Sequence, residues 1–449
     1  MAGSSQSIDF SSKDLRLLII PLIIEQFLSI TVGLADSIMV AQVGEAAMSA
    51  VSLVDTVNIL LVSAFSALAT GGAVIVGQYL GRQERQRSGH AASQFLLFMA
   101  EAGLLITAVV YLGKNFILGV VFGQVEADVA AYANTYFLIV ESSIPFLALY
   151  SAGAALFRVV GDSGVSMRIS MLMNVINVAG NALLIFGFGM GVEGVAIPTL
   201  VSRMAAAGAV MVLLYRHKEE LGLERLTLHH DGQIVKYILK FGVPGGIENG
   251  MFQLGRILLL STVSSLGTAA VAANAIGNTV SAFQNIPGQA ISLAMVTVVS
   301  RCVGARDYER ARRYTKKLMG YVYVGFTLSA LASLLLLPWI MKLYHVSPEA
   351  DKVARALVWM HGVVGIPLWP LSFALPNVLR AAGDTRFVLW SSVASMWIVR
   401  VGFGILMGTY WGMGVLGIWI AMLVDWVIRI LLFLPRFLGH RWETKGIRE

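Results

Sequence analysis

Eleven charged side chains interrupt stretches of sequence that are otherwise apolar: Glu25, Asp36, Asp55, Glu101, Glu141, Arg203, Glu248, Arg256, Arg400, Asp425 and Arg429. Charge inside a hydrocarbon layer is costly, so each needs a partner or a task. Asp36, in T-V-G-L-A-D-S-I-M-V, is the most informative, because no cation lies one helical turn from it. Further along, Asn174, Asn177 and Asn181 recur at i, i+3 and i+7, which is one face of a helix. Three amides in an apolar span need hydrogen-bond partners. Thr199, beside Pro198, can add a hydroxyl and a loosened backbone carbonyl. Carboxylate, amide and hydroxyl oxygens together suit a proton relay or a hard monovalent cation. The expected coupling set is Asp36, Asn177, Asn181 and Thr199, with Na⁺, if used, at Asp36, Asn177 and Thr199. The expected substrate contacts are Asp36, Asn174, Asn177 and Asn181. Two plainer readings stay open: Asp36 as a local cap or pair near the membrane surface, and the amides as interhelical glue.

Glu25 and Glu248 each follow a proline by four residues. Asp36 follows Glu25 by eleven residues, about 20° past three full turns, so the two share a helix face at different depths. Glu25 and Glu248 read either as carboxylates bonding backbone freed by the proline, or as a second acidic site. On the structural reading, Glu25→Gln and Glu248→Gln should behave alike. Asp425 and Arg429, four apart, should neutralise each other. Glu101 and Glu141 have no evident partner. R-V-V-G-D at 158–162 and R-A-A-G-D at 380–384 read as helix-end turns in which Gly permits the turn and Asp caps the next helix. His361 reads as a satisfied interior histidine. Methionines (19) and aromatics abound, and some could line a cavity for varied apolar ligands. No P-loop, H-E-x-x-H or G-x-S-x-G is present, so an enzyme is poorly supported and no cofactor is expected.

The elements that must hold these groups are membrane spans. Of 449 residues, 57% are hydrophobic and 13% charged, about half the charge of a soluble domain. The pattern predicts an all-α integral membrane protein with twelve spans: 15–43, 51–77, 93–112, 131–157, 166–186, 194–215, 241–265, 274–303, 318–340, 353–378, 388–409 and 415–436. The chain also repeats itself. Pro21, Glu25, Gly44, Thr56 and Gly81 return 223 residues later as Pro244, Glu248, Gly267, Thr279 and Gly304. Pro145, Arg158 and Gly161-Asp162 return after 222, as Pro367, Arg380 and Gly383-Asp384. The same shift of 223 takes Asp36 to Leu259, so that carboxylate belongs to the first half alone. Two six-helix lobes are expected, 15–215 and 241–436, joined by a polar linker at 216–240 that includes Glu224 and Arg225. With an even number of spans each, they are parallel repeats about an axis along the membrane normal.

Cations gather in the even-numbered loops and at the termini: Arg82, Arg85 and Arg87 after span 2, six Lys or Arg between 306 and 317 after span 8, and Arg436, Arg441, Lys445 and Arg448 at the end. The odd-numbered loops hold only Lys114, Lys342, Lys352 and Arg355. This alternation places both termini, 1–14 and 437–449, in the cytoplasm, and explains the net charge of +7 without nucleic acid. No removable signal peptide is expected, and Cys302, the single cysteine, allows no intramolecular disulfide.

P-L-I-I-E-Q with L-A-D-S-I-M-V in span 1, and the paired R-x-x-G-D turns, resemble the multidrug and toxic compound extrusion (MATE) family over about residues 12–437, its prokaryotic DinF-like branch in particular. The resemblance implies a multi-pass antiporter of a bacterial or archaeal inner membrane, moving cationic amphipathic drugs from cytoplasm to outside, with Asp36 as the coupling residue. A monomer in contact with membrane lipid is expected, with H⁺ or Na⁺ as the coupling ion. That branch often has a second acid where this chain has Asn181, and the sodium-driven branch has an acid in span 10, where this chain has none. Both departures favour protons. The rivals are a Na⁺-coupled antiporter, a lipid-linked oligosaccharide flippase of the same superfamily, suggested by Arg256 and Arg400, and a membrane enzyme or passive channel.

Overall fold

The computed structural model describes residues 9–123, 125–223 and 229–447, and every regular element among them is helical. Residues 1–8 of the N-terminal segment, Glu224 and Arg225 of the linker, and Arg448 of the tail lie outside the described residues. The α-helices of seven residues or more are α1 Ser12–Val43, α2 Glu45–Gly81, α3 Arg85–Leu112, α4 Ala127–Glu141, α5 Ile144–Val160, α6 Ser163–Ala182 and α7 Glu193–Arg216. They continue as α8 Gly232–Ser264, α9 Thr268–Gly304, α10 Tyr308–Tyr344, α11 Pro348–Trp369, α12 Leu375–Ala381, α13 Thr385–Ala394 and α14 Gly414–Leu438. Wide π-helical turns extend α6 over Leu183–Gly187, join α11 to α12 over Pro370–Ala374, and extend α13 over Ser395–Phe403.

Among the described residues, ten helical segments are long and apolar enough to cross a membrane. The pair α4–α5, bent by 43°, makes an eleventh crossing. The sequence predicted one continuous span there. The helix instead stops at Glu141 and restarts at Ile144, because Pro145 has no N–H to donate and disfavours helix just before it. The twelfth, α8, has the length at 33 residues but carries Lys236, Lys240, Glu248 and Arg256. It begins at Gly232, so the last part of the expected linker is already helical.

α1 starts on a capping box: Ser11 Oγ accepts from Asp14 N at 3.1 Å, and Asp14 Oδ2 accepts from Ser11 N at 2.8 Å. The duplicated turns are duplicated in conformation. Gly44 and its repeat Gly267 both adopt positive φ, 136° and 102°, where a side chain would be strained. Gln83 and Arg306, also 223 apart, share a left-handed φ of 62° and 60°.

The chain divides into two compact units. One is Phe10–Gly246; the other is residues 247–447 with Asp9, whose Oδ1 accepts from Tyr314 Oη at 2.7 Å. The division falls inside α8. In the first unit α1 packs on α6, α3 on α5, and α6 on α7. A core of Met39, Val40, Val51, Val54, Phe137 and Val140 lies between α1, α2 and α4. In the second unit α9 packs against α10, α11 and α12. Large apolar side chains cover much of the outside, among them Leu105 (66% exposed) and Phe186 (62%), as a surface in lipid requires.

Candidate functional site

α1 and α6 pack side by side, which brings Asp36 against Asn181. Asn181 Nδ2 donates to Asp36 Oδ1 at 2.8 Å. The partners lie 145 residues apart, so no local spacing announces the bond. Asn177, one turn earlier on α6, completes the contact. With its amide nitrogen turned towards α1, Asn177 donates to Asp36 Oδ1 at 2.9 Å and Oδ2 at 3.1 Å, and its oxygen accepts from Thr199 Oγ1 at 3.1 Å. The Val195 carbonyl, one turn back on α7 and 3.0 Å from Thr199 Oγ1, is the alternative acceptor for that single hydroxyl proton. Asp36 is half-buried, Asn177 and Asn181 are buried, and Asn181 Oδ1 has no hydrogen-bond partner. Four of the five residues predicted for the site therefore meet. Asn174 does not join them: its Nδ2 is buried without a partner, a further turn along α6.

A second polar group in the same unit involves three residues noted in sequence but given no partners. Asp55 on α2 accepts from Tyr136 Oη at 3.3 Å. Arg203 on α7 donates to Ser143 Oγ at 2.7 Å and to Asn58 Oδ1 at 3.2 Å. Glu141 is fully buried, and both its oxygens lack a hydrogen-bond partner. Arg203 acts electrostatically on Asp55, Glu141 and Tyr136, and Tyr136 feels both Asp55 and Asp36. The signal available in the sequence was the charge alone, inside an apolar run.

Glu25 and Glu248 take side-chain partners rather than backbone. Glu248 Oε1 and Oε2 each accept from Arg380 Nη2 at 2.8 Å. Glu25 Oε2 accepts from Ser166 Oγ at 3.0 Å, with Arg158 Nη1 at 3.9 Å from Oε1. Arg158 and Arg380 open the duplicated R-x-x-G-D turns, so the same acid–arginine link occurs in each half. The two turns then differ. Asp162 caps α6 through Val165 N at 3.2 Å. Asp384 caps nothing and instead holds Arg436 Nε at 2.7 Å. Asp425 and Arg429 pair as expected, at 3.1 and 3.2 Å. His361 is buried against Gln284 Oε1, and Glu101 meets His230 at 3.1 Å. No cluster of three or more His, Cys, Asp or Glu occurs among the described residues.

The family model MatE matches residues 21–183 and again 244–406, the second match displaced by 223 at both ends. The uncharacterized transporter YisQ of Bacillus subtilis is 26% identical over 435 residues, covering 95% of this chain and 94% of the relative. The probable multidrug resistance protein NorM of Thermotoga maritima is 26% identical over 446 residues, covering 97% and 94%. A mutant form of the Vibrio cholerae MATE transporter VcmN has the same fold, with a TM-score of 0.87 at 18% identity over 96% of this chain and 98% of that one. Matched twice along most of its length, the chain belongs to the MatE family of multidrug and toxic compound extrusion transporters.

Proposed function

We propose that this chain is a proton-coupled antiporter exporting cationic amphipathic drugs by alternating access, with Asp36 as the coupling carboxylate. The observation that carries the reading is the ring of amide N–H groups at Asp36, supplied by Asn177 and Asn181. Those donors stabilise the charged carboxylate, which attracts a cationic substrate. Protonation removes the charge and adds a donor. A half-turn of the Asn181 amide then presents Oδ1, which now lacks a partner, to the new hydroxyl. The exchange keeps the protonated carboxyl hydrogen-bonded, and the drug loses its counter-charge. Asn177, held to Thr199, transmits the change to α7.

The same bare Asn181 oxygen favours a second reading, Na⁺ at Asp36, Asn177 and Thr199. One carboxylate and neutral oxygens make a weak site for a bare monovalent cation, so protons are preferred. The alternating positive loops support cytoplasmic termini in a prokaryotic inner membrane. The decisive test is drug efflux from proteoliposomes under an imposed gradient. A pH gradient should drive it and a Na⁺ gradient at fixed pH should not; the reverse result sinks the proton reading.

A further inference from the structure

The second unit holds a collection of groups that the coupling reading leaves unused. Arg256 on α8 and Arg400 in the π-helical Ser395–Phe403 segment lie inside apolar spans. Their elements meet at Gly255, where a Cβ would come within 2.5 Å of Met396 Cε and 3.3 Å of Val401 Cγ2. The two elements are therefore in close contact here, and Arg256 and Arg400 are the next residues to Gly255 and Val401. Arg400 feels Arg256 and Arg429 as like charges and Asp425 as its one opposite charge.

Asp425 is already engaged. It accepts twice from Arg429 Nε and once from Ser395 Oγ. Glu248, two turns before Arg256 on α8, is held by Arg380. Among the described residues, no acid pairs with Arg256 or Arg400. Arg256 makes one long bond, Nη1 to Gln253 Oε1 at 3.4 Å, and Arg400 Nε is buried with no acceptor.

Other bare donors share the neighbourhood. Trp397 Nε1, one turn before Arg400, has no partner, and neither do Trp426 Nε1 and Gln284 Nε2. His361 links the last two: its ring contacts Gln284 Oε1 and lies edge-on to Trp426 at 5.3 Å. Trp426 in turn meets Phe373, and Arg429 lies over both Phe373 and Phe252, the latter one turn before Arg256. Among the described residues, Arg429 holds the one carboxylate, Arg256 and Arg400 pair with no acid, and four buried N–H donors lack acceptors. Such a set is short of negative oxygen. A planar guanidinium fork matches carboxylate and phosphate oxygens, and aromatic walls suit an apolar body. Wide π-helical turns of this kind occur often at functional sites.

We propose that residues 247–447 carry an anion-binding site, built on Arg256 and Arg400, for the carboxylate or phosphate group of an amphipathic molecule. It extends the range of bound molecules from cations to zwitterions and amphipathic anions. It stands on this unit alone and does not depend on Asp36. The anion could come from a solute or from a lipid headgroup.

The test uses the purified full chain and two matched probes, anthracene-9-carboxylate and anthracen-9-ylmethylammonium, in equilibrium dialysis without any gradient. Wild type should bind the carboxylate saturably. Arg256→Gln and Arg400→Gln should each weaken it by about tenfold or more, the scale of one lost charge-assisted bond. Arg400→Lys should fall between, and binding of the ammonium probe should stay the same or tighten. Should Arg400→Gln fail to fold, Arg256→Gln, more exposed and less engaged, carries the test. Lipid nanodiscs separate the two sources. A phosphatidylglycerol headgroup in the site would lower carboxylate affinity, relative to phosphatidylcholine discs, in wild type but not in the Gln variants. A solute site would give equal affinity in both discs. The proposal is overturned if folded Gln variants bind the carboxylate like wild type, or if wild type binds neither the carboxylate nor phosphatidylglycerol.

Discussion

The coupling role proposed for Asp36 rests on what surrounds it rather than on its depth alone. Two amides from α6 reach it, one of them held by the Thr199 hydroxyl of α7, and none of these groups is a charge. Asp36→Asn keeps the shape and removes the titration. It should abolish drug resistance in cells while the protein still folds and inserts; resistance equal to wild type would end the coupling role. Asn181→Asp restores a second carboxylate beside the first and should bring a Na⁺ response that wild type lacks. Drug binding across a Na⁺ titration at fixed pH checks this, and an unchanged response would detach Asn181 from ion choice. Both residues were legible in the sequence, Asp36 as a lone acid with no repeat equivalent and Asn181 by its helical spacing. Asn174 shares that spacing yet stays apart, because helical periodicity gives a face but not which turn of the face meets its neighbour. The partners of Asp55, Glu141 and Arg203 were not legible, since α2, α4 and α7 bring them together from distant positions.

At the scale of elements, duplication made most of the fold readable. The helices, the glycine turns and the acid–arginine pairs all recur at a displacement of 222 or 223. Glu25 with Arg158, and Glu248 with Arg380, could have been matched from the sequence, because both members of each pair are duplicated. The expectation that the two glutamates behave alike now changes, since the geometry is unequal. Glu248 takes two 2.8 Å contacts from Arg380, whereas Arg158 stands 3.9 Å from Glu25. Glu248→Gln should lower stability by about 3 kcal/mol, because it strands a largely buried guanidinium. Glu25→Gln should cost clearly less, as Ser166 can still bond the amide. Thermal melts in one detergent decide it, and equal losses would return the pair to the symmetric account. The break at 142–143 was hidden because hydropathy sees an unbroken apolar run, while the missing proline N–H acts on the backbone. Close helix approach gives another check. A Cβ on Gly71 of α2 would lie 2.5 Å from Gly242 N on α8, so Gly71→Ala should cost about 1–3 kcal/mol, read from the same melts.

For the whole molecule, the central claim is that a proton and a cationic drug exclude each other at Asp36. The drug prefers the charged carboxylate, so binding it expels a proton, and affinity must rise as pH rises until the carboxylate is fully ionised. One exchanged proton allows up to about tenfold per pH unit. The first unit should set this dependence and the second should not. The most direct measurement is a set of binding isotherms for tetraphenylphosphonium, a lipophilic cation, at several pH values on the purified protein and its Asp36→Asn variant. The account predicts affinity that climbs with pH in wild type and stays flat in Asp36→Asn; a pH-independent affinity in wild type, or the same climb in the variant, would contradict it.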